Sequence, residues 1–167
     1  MNNTPIAQHP SAPNRYLEGL APTPRNIISA VRAFARIDEL GWAARGGYPG
    51  SDVLWEVTCL VDGWQGLRFY SHLRRNKPIK RHQGCAAAAD HPRALAALAT
   101  YATGVCTCRT THPVTVHDVT AAFGAVDRAW QLGAPDALNQ ALGRLLDPCP
   151  AIALRAQAVA AFASHSH

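Results

Sequence analysis

Val53, Trp55, Val57, Cys59 and Val61 recur at every second position, with Glu56 and Thr58 among the residues between them. A period of two places one set of side chains on one face of an extended strand and cannot describe a helix. Asp62-Gly63 follows directly, a pair favoured in tight hairpin turns because both central residues of a type I′ turn need positive φ. The segment WQGLRFY can then return as a second strand. One β-hairpin over about 53–70 is the expectation that constrains everything around it.

The remainder carries helical signals. Thr23 offers an N-cap with Pro24 at the first helical position, and Ile27, Ile28, Val31, Phe34 and Ala35 keep helical spacing until Gly41. A single helical turn is expected near 71–75. Asp90 is placed to cap a helix with Pro92 in its first turn, continuing through Leu95, Leu98, Ala99 and Tyr101 to Gly104. Thr115 with Asp118 has the form of a capping box, opening a helix whose apolar face is Val116, Val119, Phe123, Val126 and Trp130. Two more helices are expected over about 135–146 and 151–162, divided by Asp147-Pro148-Cys149-Pro150. The sum is a mostly helical α+β fold, with one hairpin and about five helices. Residues 1–22, with Pro5, Pro10 and Pro13 and little apolar surface, read as a mobile arm. Residues 23–167 read as one domain, with the hairpin and its following loop over 53–88 and a helical part over 90–163.

At 167 residues and 48% hydrophobic, the chain can bury a substantial core. Neither a signal-peptide pattern nor an apolar run of membrane-spanning length occurs, so a cytoplasmic protein without membrane contact is expected. Five cysteines are too few, and odd in number, for a secreted disulfide scaffold; in a reducing compartment thiols are buried, metal-bound or reactive. The net charge of +5 points to an acidic partner. Its distribution says more. Arg68, Arg74, Arg75, Lys77, Lys80 and Arg81 fall between Gly63 and Ala89 with no acid among them.

Cys59-x2-Asp62-Gly63 and His82-x2-Cys85 flank that basic segment. Two ligands three residues apart on a tight turn can hold one Zn²⁺, and a second such pair before a helix completes the tetrahedron. The expected metal ligands are therefore Cys59, Asp62, His82 and Cys85. The alternative reading makes Cys59 an inward strand cysteine, Asp62 a turn residue, His82 part of a solvated basic run and Cys85 a small loop residue. A second cluster, Cys106, Cys108, His112 and His117, carries the same choice between metal binding and simple burial.

With GWAARGGYPGSDVLWEVTCLVDGWQG and RHQGC, the stretch 42–88 resembles the small zinc-ribbon or treble-clef-like segments of many bacterial proteins. In these a Trp-bearing strand leads into Cys-x2-Cys-Gly and a hairpin, and a second ligand pair opens a helix. The resemblance implies a structural zinc and nucleic-acid contact. The family's first and third cysteines fall on Cys59 and Cys85, its second on Asp62, and a fourth found in some members on Ala88. His82 is the residue at hand to replace a lost ligand.

Three functions follow as expectations. The first is DNA or RNA binding through Arg68, His72, Arg74, Arg75, Lys77, Lys80 and Arg81, with Trp64, Phe69 and Tyr70 available to stack on bases or to fill the core. The second is a non-enzymatic regulatory or adaptor role toward an acidic protein partner. The third is a metal-dependent nuclease, for which no motif places a base and the loop contains no acid. No catalytic residue is assigned.

Overall fold

A computed structural model of the chain describes residues 15–75, 81–96, 106, 108–109, 112–147 and 152–165. The alternation read from the sequence is the burial pattern of the central strand, β2 (Leu54–Cys59): Trp55, Val57 and Cys59 are buried while Leu54 and Glu56 are exposed. β2 pairs antiparallel with β3 (Gln65–Phe69), Leu54 opposite Phe69 and Thr58 opposite Gln65. A strand that periodicity could not find, β1 (Trp42–Ala44), pairs along the other edge of β2, with Trp42 opposite Cys59, giving the order β1-β2-β3. Three residues are too few to display a period.

The hairpin turn differs from the expected two-residue type I′ form. Cys59 N–H donates to the Trp64 carbonyl (2.7 Å) and Gly63 N–H to the Cys59 carbonyl (2.7 Å), so the connection is the four-residue stretch 60–63. Gly63 has φ +80°, and no described residue other than glycine has positive φ. Asp62 keeps an ordinary backbone because its carboxylate accepts the Trp64 N–H at 3.0 Å, a local side-chain turn that replaces the left-handed conformation.

Six helices surround the sheet among the described residues. α1 (Pro24–Glu39) starts at Thr23, whose hydroxyl accepts the Asn26 N–H at 3.3 Å. α2 (Tyr70–Leu73) is the expected single turn, one residue earlier. A 3₁₀ turn over Ala88–Asp90 runs into α3 (His91–Ala96); the expected continuation to Gly104 lies outside the described residues. α4 (Val116–Gln131) is capped by Thr115, which accepts the Asp118 N–H at 3.2 Å. α5 (Pro135–Leu146) and α6 (Ile152–His165) complete the fold. No described helix is long and apolar enough to cross a membrane.

α1 packs against β1 and α6, and α4 against α5 and α6. Their buried residues, including Ile27, Val31, Ile37, Val119, Leu142 and Val159, form one core with Trp55 and Val57 of the sheet. Around Trp55, the rings of Phe34, Tyr48 and Tyr70 meet edge to face, and Trp55 Nε1–H donates to the Gly46 carbonyl at 3.1 Å. Of the expected N-terminal arm, residues 15–22 belong to this domain. Tyr16 and Leu17 are buried, Tyr48 N–H donates to the Tyr16 carbonyl at 2.8 Å, and the Tyr16 hydroxyl donates to Asp147. Arg15 pairs with the same carboxylate at 3.1 Å. Two large apolar side chains outweigh the local proline content there; residues 1–14 lie outside the described residues.

Asp38, near the end of α1, is held up at about pKa 7, chiefly by burial, with the Arg155 charge opposing and Glu39 adding to the rise. Arg155 is itself buried and donates to the carbonyls of Arg144 and Asp147 at the end of α5.

Three outcomes are expected. Trp55→Ala should cost about 3–5 kcal/mol in urea unfolding. Trp55→Phe should cost about 1–2 kcal/mol, because the ring is kept while the Gly46 carbonyl loses its donor. For Asp38 the folded pKa lies above the ordinary 3.8, so the folded state binds the extra proton. Its contribution is full in acid and is lost as pH rises from about 4 through about 7. Unfolding followed between these limits should show a shallower decline for Asp38→Asn than for the parent chain.

Candidate metal centre

Four side chains from two separate segments converge beside the hairpin. Cys59 ends β2 with its side chain on the buried face and 0% exposed, and Asp62 sits in the turn three residues on. His82, 5% exposed, and the half-buried Cys85 come from the chain that returns after the basic segment. One ligand atom from each of the four lies within 4.8 Å of the others. A tetrahedral zinc with bonds of about 2.0–2.3 Å needs ligand separations of about 3.3–3.8 Å, so closing the site takes movements of about 1 Å or less.

His82 supplies a test of the fit. Its Nδ1 lies 2.9 Å from the Gln83 carbonyl oxygen, which only accepts, so Nδ1 carries the hydrogen. Its Nε2 lies 2.9 Å from one Asp62 oxygen and 3.1 Å from the other. With Nδ1–H fixed, Nε2 presents a lone pair to a carboxylate unless a second proton or a cation stands between them. A metal ion answers that requirement, and a backbone carbonyl holding the distal N–H is how ligating histidines are oriented. The ring is fixed further by Trp64, stacked at 4.5 Å and 4°.

Arg81 lies against the cluster. Its Nε–H points at Cys59 Sγ (3.2 Å), its two terminal nitrogens donate to the Leu40 and Gly41 carbonyls, and its guanidinium lies 4.3 Å over the Trp42 ring. Two thiolates and a carboxylate around a dication leave one negative charge, which the Arg81 cation balances. The Cys85 thiol is pushed up to about 11, first by burial and then by Cys59 and Asp62, with Arg81 opposing. Burial also works against the Asp62 charge, but the Trp64 N–H, the Cys59 thiol and His82 outweigh it and hold its carboxyl below the usual range.

The neighbours Trp42 and His91 carry no spacing signal and are not among the expected site residues, and Trp64, expected to stack on bases or to fill the core, stacks on His82. His91 Nε2 lies 2.8 Å from the Ala86 carbonyl and 3.6 Å from Cys85 Sγ, which makes it a neighbour of that sulfur with its N–H already directed to a carbonyl.

A second group, Cys106, Cys108 and His112, meets the same distance limit of 4.8 Å. His117, expected with it, is exposed in the capped first turn of α4 and does not join. Two Cys/His groups can thus hold a metal ion, and among the described residues no cysteine is in a disulfide.

Of the expected nucleic-acid-binding residues, His72, Arg74 and Arg75 are exposed. Arg74 offers its carbonyl to the Arg36 guanidinium at 3.2 Å, which anchors its backbone and leaves its side chain in solvent. Arg81 is a correction, since its guanidinium is committed inside the cluster. Arg68 is half-buried opposite Trp55 in the strand register, so its position is that of a strand residue beside the core. Lys77 and Lys80 lie outside the described residues. Trp64, Phe69 and Tyr70 are half-buried, with Tyr70 against Trp55 and Tyr48. No family model, curated protein or solved structure matches the chain.

If this group holds an ion, chelation of the purified protein should lower its Tm. Cys59→Ser or Cys85→Ser should lower it to the chelated level, after which chelator has no further effect. Arg81→Lys keeps the charge but loses the fork across two carbonyls, and should weaken metal binding roughly 10–100-fold in a competition assay.

Proposed function

We propose that the protein is a nucleic-acid-binding module in which a structural Zn²⁺ at Cys59, Asp62, His82 and Cys85 organises a basic surface segment. The observation that carries this reading is the convergence of ligand pairs from both ends of the acid-free stretch 63–81 on one small volume. A metal there ties the hairpin turn to the chain before α3, so the cations between are displayed from a fixed base. Sulfur and imidazole donors suit zinc. Four protein ligands fill its tetrahedron and leave no position for a metal-bound water, which favours a structural role over a nuclease centre at this site. The likeness of 42–88 to zinc-ribbon segments supports the same reading.

Charge supplies the partner. Arg81 is used up in balancing the metal cluster, which leaves the exposed Arg74 and Arg75, with Lys77 and Lys80 following them in the same acid-free run of sequence, to meet a polyanion. Such a segment repels itself and is stabilised by a polyanion, with release of condensed counterions.

Elemental analysis should find zinc bound to the purified chain, with about one ion per chain fewer in Cys59→Ser. The combined change Arg74→Ala, Arg75→Ala, Lys77→Ala should leave folding stability nearly unchanged and weaken DNA or RNA binding. It should also flatten the slope of log affinity against log salt by roughly two to three units, about one for each phosphate that is no longer neutralised. Unchanged affinity and slope would reject the segment as a phosphate-binding surface. No binding by the parent chain at low salt would transfer the same surface to an acidic protein partner.

A further inference from the structure

Cys59 and Cys85 come from separate segments of the chain, yet their sulfurs lie within 4.8 Å of each other. They differ in access. Cys59, at the end of β2, is 0% exposed, whereas Cys85 is half-buried and keeps solvent contact. Cys85 belongs to neither a helix nor a strand: its N–H donates to the His82 carbonyl at 3.3 Å across a turn in which Gly84 has φ +82°. A disulfide needs its sulfurs at about 2.05 Å. Turning one cysteine between staggered χ1 positions carries its sulfur about 3 Å, a movement of the size of the remaining gap that displaces no strand. The Nε–H of Arg81, 3.2 Å from Cys59 Sγ, sets a cation beside the sulfur that solvent does not reach.

We propose that Cys59 and Cys85 form a thiol–disulfide switch, joined on oxidation by hydrogen peroxide and restored by a dithiol reductant. Cys85, the accessible sulfur, attacks the peroxide. Its S–O bond forms as the O–O bond breaks, and the departing oxygen leaves as water with the Cys85 thiol proton. The Cys59 sulfur then attacks the sulfur of the resulting sulfenic acid. The S–S bond forms, the S–O bond breaks, and the hydroxyl leaves as a second water with the Cys59 proton. Two electrons pass from the sulfurs to the peroxide. Cys59 competes with a second peroxide because it is already held alongside, and Arg81 faces the negative charge that its sulfur carries in the attack. A disulfide offers no thiolate, so the oxidised pair withdraws two of the four donors and leaves Asp62 and His82. The covalent bond then replaces the ion as the tie between the hairpin turn and the chain before α3. The disulfide rests on the sulfur geometry alone, and its coupling to an ion rests on the metal reading proposed above.

Tryptic mapping of the full reduced chain after a small excess of hydrogen peroxide, with no reductant in the digest, tests it. Cleavage after Arg45, Arg68, Arg81 and Arg93 places Cys59 in peptide 46–68 and Cys85 in peptide 82–93. The expected product is these two peptides joined by a bond that dithiothreitol opens. In Cys59→Ser, Cys85 should stop at the sulfenic acid and be captured by dimedone. In Cys85→Ser, Cys59 should stay reduced at the same dose of peroxide. Cys59 and Cys85 left unlinked in the parent chain, whether reduced or with Cys85 carried on to the sulfinic acid, would overturn the switch, as would links confined to other cysteines. Should either single variant fail to fold, the map of the parent chain decides. The coupling is read on Cys106→Ser/Cys108→Ser loaded with zinc, so that the second group contributes nothing. A chromogenic chelator should detect about one Zn²⁺ per chain released as the link forms and taken back after reduction. A linked pair that keeps its zinc would overturn the coupling. A linked pair in a chain that takes up no zinc would uphold the switch and overturn the metal reading, so the two fail separately.

Discussion

The guanidinium of Arg81 joins the exit of α1, the start of β1 and the end of β2. It reaches the carbonyls of Leu40 and Gly41 just beyond α1, lies over Trp42 at the start of β1, and directs an N–H to Cys59 at the end of β2. The last carbonyls of a helix have no intrahelical donors, and a cation there is favoured by the helix dipole as well. One side chain therefore satisfies the exit of α1, fixes the first strand against the second and balances the charge of the thiol cluster. A lysine has a single charged point and could not span these acceptors. The Leu60 N–H donating to the Gly41 carbonyl at 2.9 Å closes the same junction from the hairpin side.

That junction matters because the sheet is small. Strands of three, six and five residues bury one face against α1 and gain little from ladder hydrogen bonds alone. The aromatic group around Trp55 anchors the end of β2 away from the turn. At the turn end the apolar contribution falls to Cys59, Trp42 and Trp64, with polar groups filling the remainder. Two thiols, an imidazole and a carboxylate fill that end, with the Asp62 carboxylate accepting the Trp64 N–H and Cys59 Sγ receiving the Arg81 Nε–H.

Much of this was legible in the sequence, for physical reasons that also mark its limits. The alternation from Trp55 to Cys59 and the caps at Thr23 and Thr115 are local rules, and the structure follows them, while Val53, expected on the same face, lies before the strand and is exposed. Spacing also placed Cys59, Asp62, His82 and Cys85 as one candidate set, because knuckle geometry is a matter of residues three apart. β1 was not legible, being too short to show a period. The turn type was misread, since Asp62 can satisfy the turn through its side chain without taking positive φ. Tyr16 and Leu17 were hidden by prolines that speak only for local conformation. Arg81 was read as one more cation in a run, and charge runs carry no information on which member folds inward. That depends on acceptors some forty residues earlier in the chain.

The inward Arg81 alters how the basic segment should be understood. A run of cations with no acids reads as a uniform patch, yet the Arg81 guanidinium is committed beside the cluster and Arg68 stands in the strand beside the core. Arg74 and Arg75, next to α2, are the exposed arginines of the run. Their backbone is anchored by the Arg36 guanidinium on the Arg74 carbonyl, while Arg36 itself is paired with Glu39 at 3.0 Å. Glu39 lowers the positive charge contributed by Arg36, so the field of the segment is carried by its own side chains rather than by α1. The physical distinction is between cations that hold the fold and cations that face outward, and in this chain Arg68 and Arg81 of the first kind stand on either side of Arg74 and Arg75 of the second.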